Sequence, residues 1–220
     1  GTLFFWEDHY FRLMASMRIL RMEIPMEFTM EFLEEEIKKT ITSNAQYSGA
    51  VRVRLTVFRN EGGLYTPTTN QISYVIETNT MESPFFVIEE ENYEVELFKD
   101  YYVNKDMLSN LKSTNRILNV VAGVYAKENG YANCLLANTD KKVVEAINGN
   151  LFLVKGNEIK TPPLSDGCMD GIIRKNLMKI IAGSEEYDLV EDSISPFELQ
   201  KVDELFITNS IAGIQPISKY

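Results

Sequence analysis

The most regular stretch of the chain is AVRVRLTVFR, residues 50–59. There Val51, Val53, Leu55 and Val57 alternate with Arg52, Arg54, Thr56 and Phe58. A period of two sends alternate side chains to opposite faces, so this segment reads as a half-buried strand. The text before it follows a helical period: Tyr10, Leu13, Met14, Met17 and Leu20 predict a helix over residues 8–21. Pro25 interrupts that pattern, and Thr29 is a candidate N-cap for a second helix over residues 30–42. Ahead of both, residues 3–6 (LFFW) read as a short apolar strand. After residue 59, Glu61-Gly62-Gly63 marks a turn, and QISYVIE, FFVIE and YEVELF read as strands. The run Glu89-Glu90-Glu91 reads as a solvated turn.

The pattern lapses over DYYVNKDMLS, and an interdomain linker is predicted at residues 101–109. Beyond it, strands and helices alternate. A helix over residues 113–129 is closed by Gly130, and NCLLAN, VVEA and NLFLVKG are strands. GIIRKNLMKIIAG is a helix closed by Gly183, Ser195-Pro196 opens a short helix, and ELFIT is a last buried strand. The fold class predicted is α+β, a mixed α/β chain in two domains. Residues 1–100 form a small α+β domain, and residues 110–220 form a larger domain in which helices flank a mixed sheet.

Composition narrows the chemistry. The chain has 220 residues, 45% of them hydrophobic and 25% charged, enough to bury a substantial core. Its 22 basic against 32 acidic residues give a net charge of -10, which repels nucleic acid and anionic membrane surfaces. No stretch reaches the roughly 20 apolar residues that span a bilayer. Cys134 and Cys168 have no metal-ligand spacing, and a reduced, cytoplasmic setting is the expectation. The single histidine, His9, nearly excludes histidine-built zinc sites and leaves a Ser-His-Asp arrangement only one possible base. GxxxxGK[ST] and GxGxxG are both absent. Chemistry must therefore rest on Lys, Arg, Asp, Glu, Tyr or a bound cofactor.

One cofactor suits the remaining residues. Pyridoxal phosphate needs a lysine amine, an acid beside its pyridine nitrogen, and an anion site for its phosphate. Lys112 ends an apolar stretch just before a helix start. Glu145 lies 33 residues on, before an Asn148-Gly149-Asn150 turn that opens into a strand. SDGCMDGIIRK leads through glycine into a helix whose first free amides belong to Gly171, Ile172 and Ile173.

Four blocks carry a resemblance over nearly the whole chain: EDHYFRLMAS, LKSTNRILNVVAGVYAKENGY, EAINGNLFLVKGNEIKTPPLSDGCMDGIIRK and DELFITNSIAGIQPI. In that order and spacing the chain resembles the class IV aminotransferases, the fold-type IV pyridoxal 5'-phosphate enzymes. The resemblance implies that Lys112 is the Schiff-base lysine and moves the Cα proton, and that Glu145 pairs with the pyridine nitrogen. It implies that Arg12, the amides of Ile172 and Ile173 and the Ser210 hydroxyl hold the phosphate. Asn150 falls in the family's turn after the acid, where it shapes backbone. Ile211 and Ala212 match amides that hold the substrate carboxylate, and Arg54 and Arg59 fall on a strand that supplies a carboxylate-binding arginine in some branches. Asp170 stands just before the phosphate-cupping amides, where a carboxylate capping the helix competes with a phosphate.

Position 116 is Arg where many transaminases of the family carry Tyr as a donor to the cofactor's phenolic oxygen. Its wording from Lys112 to Arg116 is nearer to aminodeoxychorismate lyases, which release pyruvate and leave p-aminobenzoate for folate biosynthesis. Branched-chain and D-amino acid transamination is the alternative, and a catalytically silent homologue kept for binding is a third. The resemblance further implies a homodimer, a small-molecule amino acid or aminodeoxychorismate substrate, and additional N- and C-terminal segments.

Overall fold

The computed structural model describes residues 1–45, 49–88 and 92–220. The acidic run at 89–91 lies outside the described residues. The chain divides into two compact units, Gly1–Phe85 and Phe86–Tyr220.

The first unit holds α1 (Trp6–Ile19), α2 (Met30–Ser43), β1 (Ala50–Arg59) and β2 (Ile72–Met81). β1 and β2 form a two-stranded antiparallel hairpin with Leu55 opposite Ile76 and Val57 opposite Tyr74. Met14 and Met17 of α1, Phe28 in the turn ahead of α2 and Leu33 of α2 make a buried cluster against which Leu55, Val57, Ile72 and Tyr74 pack. The predicted cap is in place, since Thr29 Oγ1 accepts the Phe32 N–H at 3.2 Å. Residues 3–6 are not a strand. Among the described residues β1 and β2 pair only with each other, so no ladder is offered to this segment. Instead Phe5 takes φ 54° as the residue before α1, and Phe4 is 71% exposed.

The second unit is built on an eight-stranded sheet. Its elements are β3 (Val95–Val103), α3 (Ile117–Asn129), β4 (Asn133–Asn138), β5 (Val143–Ala146), β6 (Asn150–Lys155), β7 (Glu158–Thr161), α4 (Ile172–Ala182), β8 (Asp188–Glu191), β9 (Glu204–Asn209) and β10 (Gly213–Ile217). The order is β10-β9-β6-β5-β4-β3, with β7 joining β6 to β8. Two pairs are parallel, β3 with β4 and β7 with β8. Each is connected through a helix, α3 and α4 respectively, as parallel neighbours require. Leu135, Val143, Leu151, Leu153 and Ile207 anchor one core cluster, and Phe98, Ala122, Ala126, Cys134 and Leu136 another.

Several predicted elements move. The division falls at Phe85/Phe86 rather than at residues 101–109, because β3 runs through Val103 and pairs with β4. β3 is a sheet edge and its Tyr101 is 61% exposed, which is why the apolar pattern lapses there. Residues 85–88 of FFVIE form no strand and carry exposed side chains. α3 starts at Ile117, four residues later than predicted, and the residues it omits include Ser113, Thr114 and Asn115, types that favour helix ends and turns over helix interiors. Gly130 closes it at φ 77°, as read. Ser195-Pro196 opens turns rather than a helix.

Candidate active site

Glu145 lies on β5, a strand buried at every position, and is itself only 3% exposed. The turn after it is pinned at three points. Ala146 N–H donates to Gly149 O at 2.8 Å, Asn119 Nδ2 to Ile147 O at 2.8 Å, and Asn133 Nδ2 to Asn148 Oδ1 at 2.7 Å. Gly149 is needed for space, since a Cβ there would meet Thr208 O at 3.0 Å. The hairpin sets Glu145 opposite Asn150, and β9 sets Thr208 opposite Asn150. Residues paired in this way point to one face, so Glu145, Asn150 and Thr208 form a polar row on a buried sheet. The Thr208 hydroxyl has no hydrogen-bond partner among the described residues.

A buried carboxyl needs partners, and Glu145 has two. Oε2 accepts the Met169 N–H at 2.8 Å, and Oε1 lies 3.7 Å from Arg116 Nη1. Burial pushes its pKa above the ordinary glutamate value, while the Met169 amide, Arg116 and Lys112 each pull it down. Arg116 also donates through Nη2 to Leu111 O at 2.5 Å. The arginine expected at a phenolic oxygen thus forms an ion pair with the acid.

Met169 ties the site together. Asn150 Nδ2 donates to its carbonyl at 2.8 Å, as does the Gly171 N–H at 2.9 Å, and its Sδ lies 4.0 Å from Lys112 Nζ. Lys112 and Glu145 therefore meet at one residue. The lysine segment is held to the same loop by Asn110, whose Nδ2 donates to Leu164 O at 2.9 Å and Cys168 O at 2.7 Å. The Asp170 N–H returns a bond to Asn110 O at 3.1 Å. Gly171 precedes α4 with φ -79°, so its backbone suits any residue, but a Cβ would sit 1.9 Å from Asn150 Oδ1. Behind it, Ile172 and Ile173 open an 11-residue helix. The first amides of a helix lack intrahelical partners and favour an anion. A buried acid, a nearby amine and a helix N-terminus on one loop system fit the three demands of pyridoxal phosphate.

Ser210, Ile211 and Ala212 form the turn between β9 and β10. Asn209 Oδ1 accepts the N–H of Ile211 at 2.9 Å and of Ala212 at 2.8 Å. In the first unit, Arg12 lies half-buried on α1. Arg54 on β1 is exposed and 3.9 Å from Glu77. Arg59 spends its guanidinium on Leu20 O at 2.6 Å and Asn70 Oδ1 at 3.1 Å, bracing its own unit. Burial pushes the Cys134 thiol to about 11 and Cys168 to about 12, so neither is a nucleophile. No cluster of three or more metal-ligating side chains occurs among the described residues.

Met169, Asn209 and Thr208 were not singled out from the sequence. Met169 acts mainly through its peptide group, which leaves no trace in side-chain identity. Asn209 did carry a signal, because Asn readily accepts from amides two residues on.

Comparison with known proteins gives one answer. The sequence profile of the family described as amino-transferase class IV matches residues 1–220. Over 218 residues the chain is 28% identical to a Methanocaldococcus jannaschii protein assigned as a branched-chain-amino-acid aminotransferase, covering 99% of this chain and 74% of that one. Over 222 residues it is 25% identical to the D-alanine aminotransferase of Staphylococcus epidermidis, covering 100% and 75%. A solved structure from Legionella pneumophila, assigned as a 4-amino-4-deoxychorismate lyase, superposes with TM-score 0.84 at 25% identity, covering 98% of this chain and 77% of that one.

Proposed function

Because this chain belongs to the amino-transferase class IV family, whose members are pyridoxal phosphate enzymes, we propose that it acts on an amino acid through Lys112 with Glu145 as the acid at the cofactor's pyridine nitrogen. When bound, the cofactor supplies an electron sink for the pair left as the substrate loses its Cα proton. Lys112 takes and returns that proton. Glu145 keeps the ring nitrogen protonated, and the Met169 amide and Arg116 hold the carboxylate in one orientation. The amides of Ile172 and Ile173, the Ser210 hydroxyl and Arg12 hold the phosphate. The amides of Ile211 and Ala212 hold the substrate carboxylate, with Arg54 the candidate side-chain partner.

One observation carries this reading: Lys112 Nζ and the Glu145 carboxylate both reach Met169, one at its sulfur and the other at its amide. The reaction proposed first is aminodeoxychorismate lysis, on the wording from Lys112 to Arg116. It requires a proton delivered to a second position of the substrate. Transamination of branched-chain or D-amino acids is the second reading, favoured by the 28% and 25% identical relatives. The working form proposed is a homodimer in a reduced, cytoplasmic compartment.

Borohydride treatment of the yellow protein should fix the cofactor covalently on Lys112, read by peptide mass spectrometry. Lys112→Ala should lose both the modification and turnover while keeping the circular dichroism of the parent. Modification at another lysine, or turnover in the variant, refutes the assignment. Parallel assays with aminodeoxychorismate, branched-chain and D-amino acids separate the two reactions.

A further inference from the structure

The α4 face of the sheet carries one buried polar group that the fold itself does not use. Alternation along the strands puts Asn150 and Phe152 of β6 on that face, and the register sets them opposite Thr208 and Phe206 of β9. The two phenyl rings stack at 5.1 Å and cluster with Ile181, near the end of α4. One step along the ladder, Asn150 donates to Met169 O and crowds Gly171, where α4 begins. Thr208, the partner of Asn150, therefore stands at the helix's N-terminal end.

Thr208 is 2% exposed, and its hydroxyl has no hydrogen-bond partner among the described residues. A buried hydroxyl left unpaired destabilises the fold. Nearby groups show how the sheet ordinarily avoids this. Thr161, also buried, donates to Leu151 O at 2.8 Å, and Glu145 and Asn150 in the same row are both paired. Shape does not call for a threonine here either, since Val fills nearly the same space and suits a strand as well.

Resting on the reading that the first amides of α4 hold the cofactor's phosphate, we infer that Thr208 is a further phosphate ligand. Its hydroxyl donates to a phosphate oxygen from the sheet, while the amides of Ile172 and Ile173 donate from the helix. Asn150 separates Thr208 from Glu145, so hydroxyl and acid stand two strand spacings apart, roughly 10 Å. Ring nitrogen and phosphate lie along one edge of the cofactor, in the same order as the acid and the hydroxyl along the row. A hydroxyl bonded to a phosphate oxygen makes a charge-assisted contact, placed where the helix end already favours an anion.

The test rests on Thr208→Val, which deletes the hydroxyl and keeps the branched shape. Without cofactor, the variant should melt at the parental temperature or above, because an unpaired buried group has gone. Its affinity for pyridoxal phosphate should nonetheless fall about tenfold or more, the scale of one hydrogen bond to a charged group. Affinity for pyridoxal, which carries the ring and no phosphate, should match the parent. Calorimetric titration reads both constants without turnover, and Thr208→Ser should bind pyridoxal phosphate as the parent does. A lower melting temperature in the cofactor-free Val variant would assign the hydroxyl to the fold and overturn the inference. Unchanged affinity for pyridoxal phosphate, or a loss shared equally by pyridoxal, would overturn it too, with borohydride still labelling Lys112 in the parent. Failure of that labelling in the parent would instead remove the enzyme reading on which the inference rests.

Discussion

At the scale of single residues, Glu145 shows the tension between stability and chemistry. Burial raises its pKa in the folded protein, so folding favours the neutral carboxyl. Its contribution to stability is full below the unfolded value near 4.5 and is lost as pH rises through the folded value. Ionised, it costs stability, and the Met169 amide and Arg116 offset only part of that. Glu145→Gln should therefore flatten the pH dependence. Denaturant unfolding of cofactor-free protein should give the variant and parent equal stability at acid pH, with the variant gaining as pH climbs to neutral. Turnover should drop by about two orders of magnitude or more, the range seen when a preorganised electrostatic partner is removed. A variant weaker by one constant margin at every pH would show that the Glu145 contacts, not its charge, matter. The sequence made Glu145 legible by its place before the NGN turn and by the family wording. It could not show that Arg116 pairs with the acid, because the five residues from Lys112 to Arg116 fold back irregularly before α3 rather than continuing it.

Elements were legible where one face is buried and the segment is long. α1, α2, α4 and β1 all show their period, and Thr29 caps α2 as read. β7, β8 and β10, at four or five residues, are too short to show one, and apolar residues 3–6 and 85–88 mimic strands without a neighbour to pair with. The NG dipeptide did mark a hairpin, although Gly149 serves close packing and not a positive φ.

The approach to α4 offers a test at this scale. Asn150 on β6 fixes the loop before the helix by donating to Met169 O, and its other atom presses on Gly171. Gly171→Ala should push Asn150 aside and cost about 1 kcal/mol or more, the worth of the displaced hydrogen bond. It should also loosen cofactor binding, read by equilibrium dialysis. Asn150→Ala removes the same bond and the obstruction together, so the double variant should be more stable than the two losses summed. Such non-additivity marks residues in contact. Strict additivity would mean that the helix start tolerates a side chain without touching Asn150.

For the whole molecule, the proposed assignments span two units with separate cores. Lys112, Glu145, Asn150, Ile172, Ile173 and Ser210 lie in the second, and Arg12 lies on α1 of the first. Periodicity and composition speak to each core separately and are silent on how units cooperate, so Arg12 rests on the family resemblance alone. Ligand chemistry can decide it. If Arg12 binds the phosphate, Arg12→Ala removes a charge-assisted contact worth about 1.5–3 kcal/mol, or roughly 10- to 100-fold in affinity. The loss should appear with pyridoxal phosphate and vanish with pyridoxal, which presents the same aldehyde to Lys112 and the same ring nitrogen to Glu145 but no phosphate. Fluorescence titration of both ligands against parent and variant measures the ratio directly, and raised salt should shrink the difference. Equal weakening toward both ligands would make Arg12 a structural residue of α1. The anion site would then belong to α4 and Ser210 within the second unit.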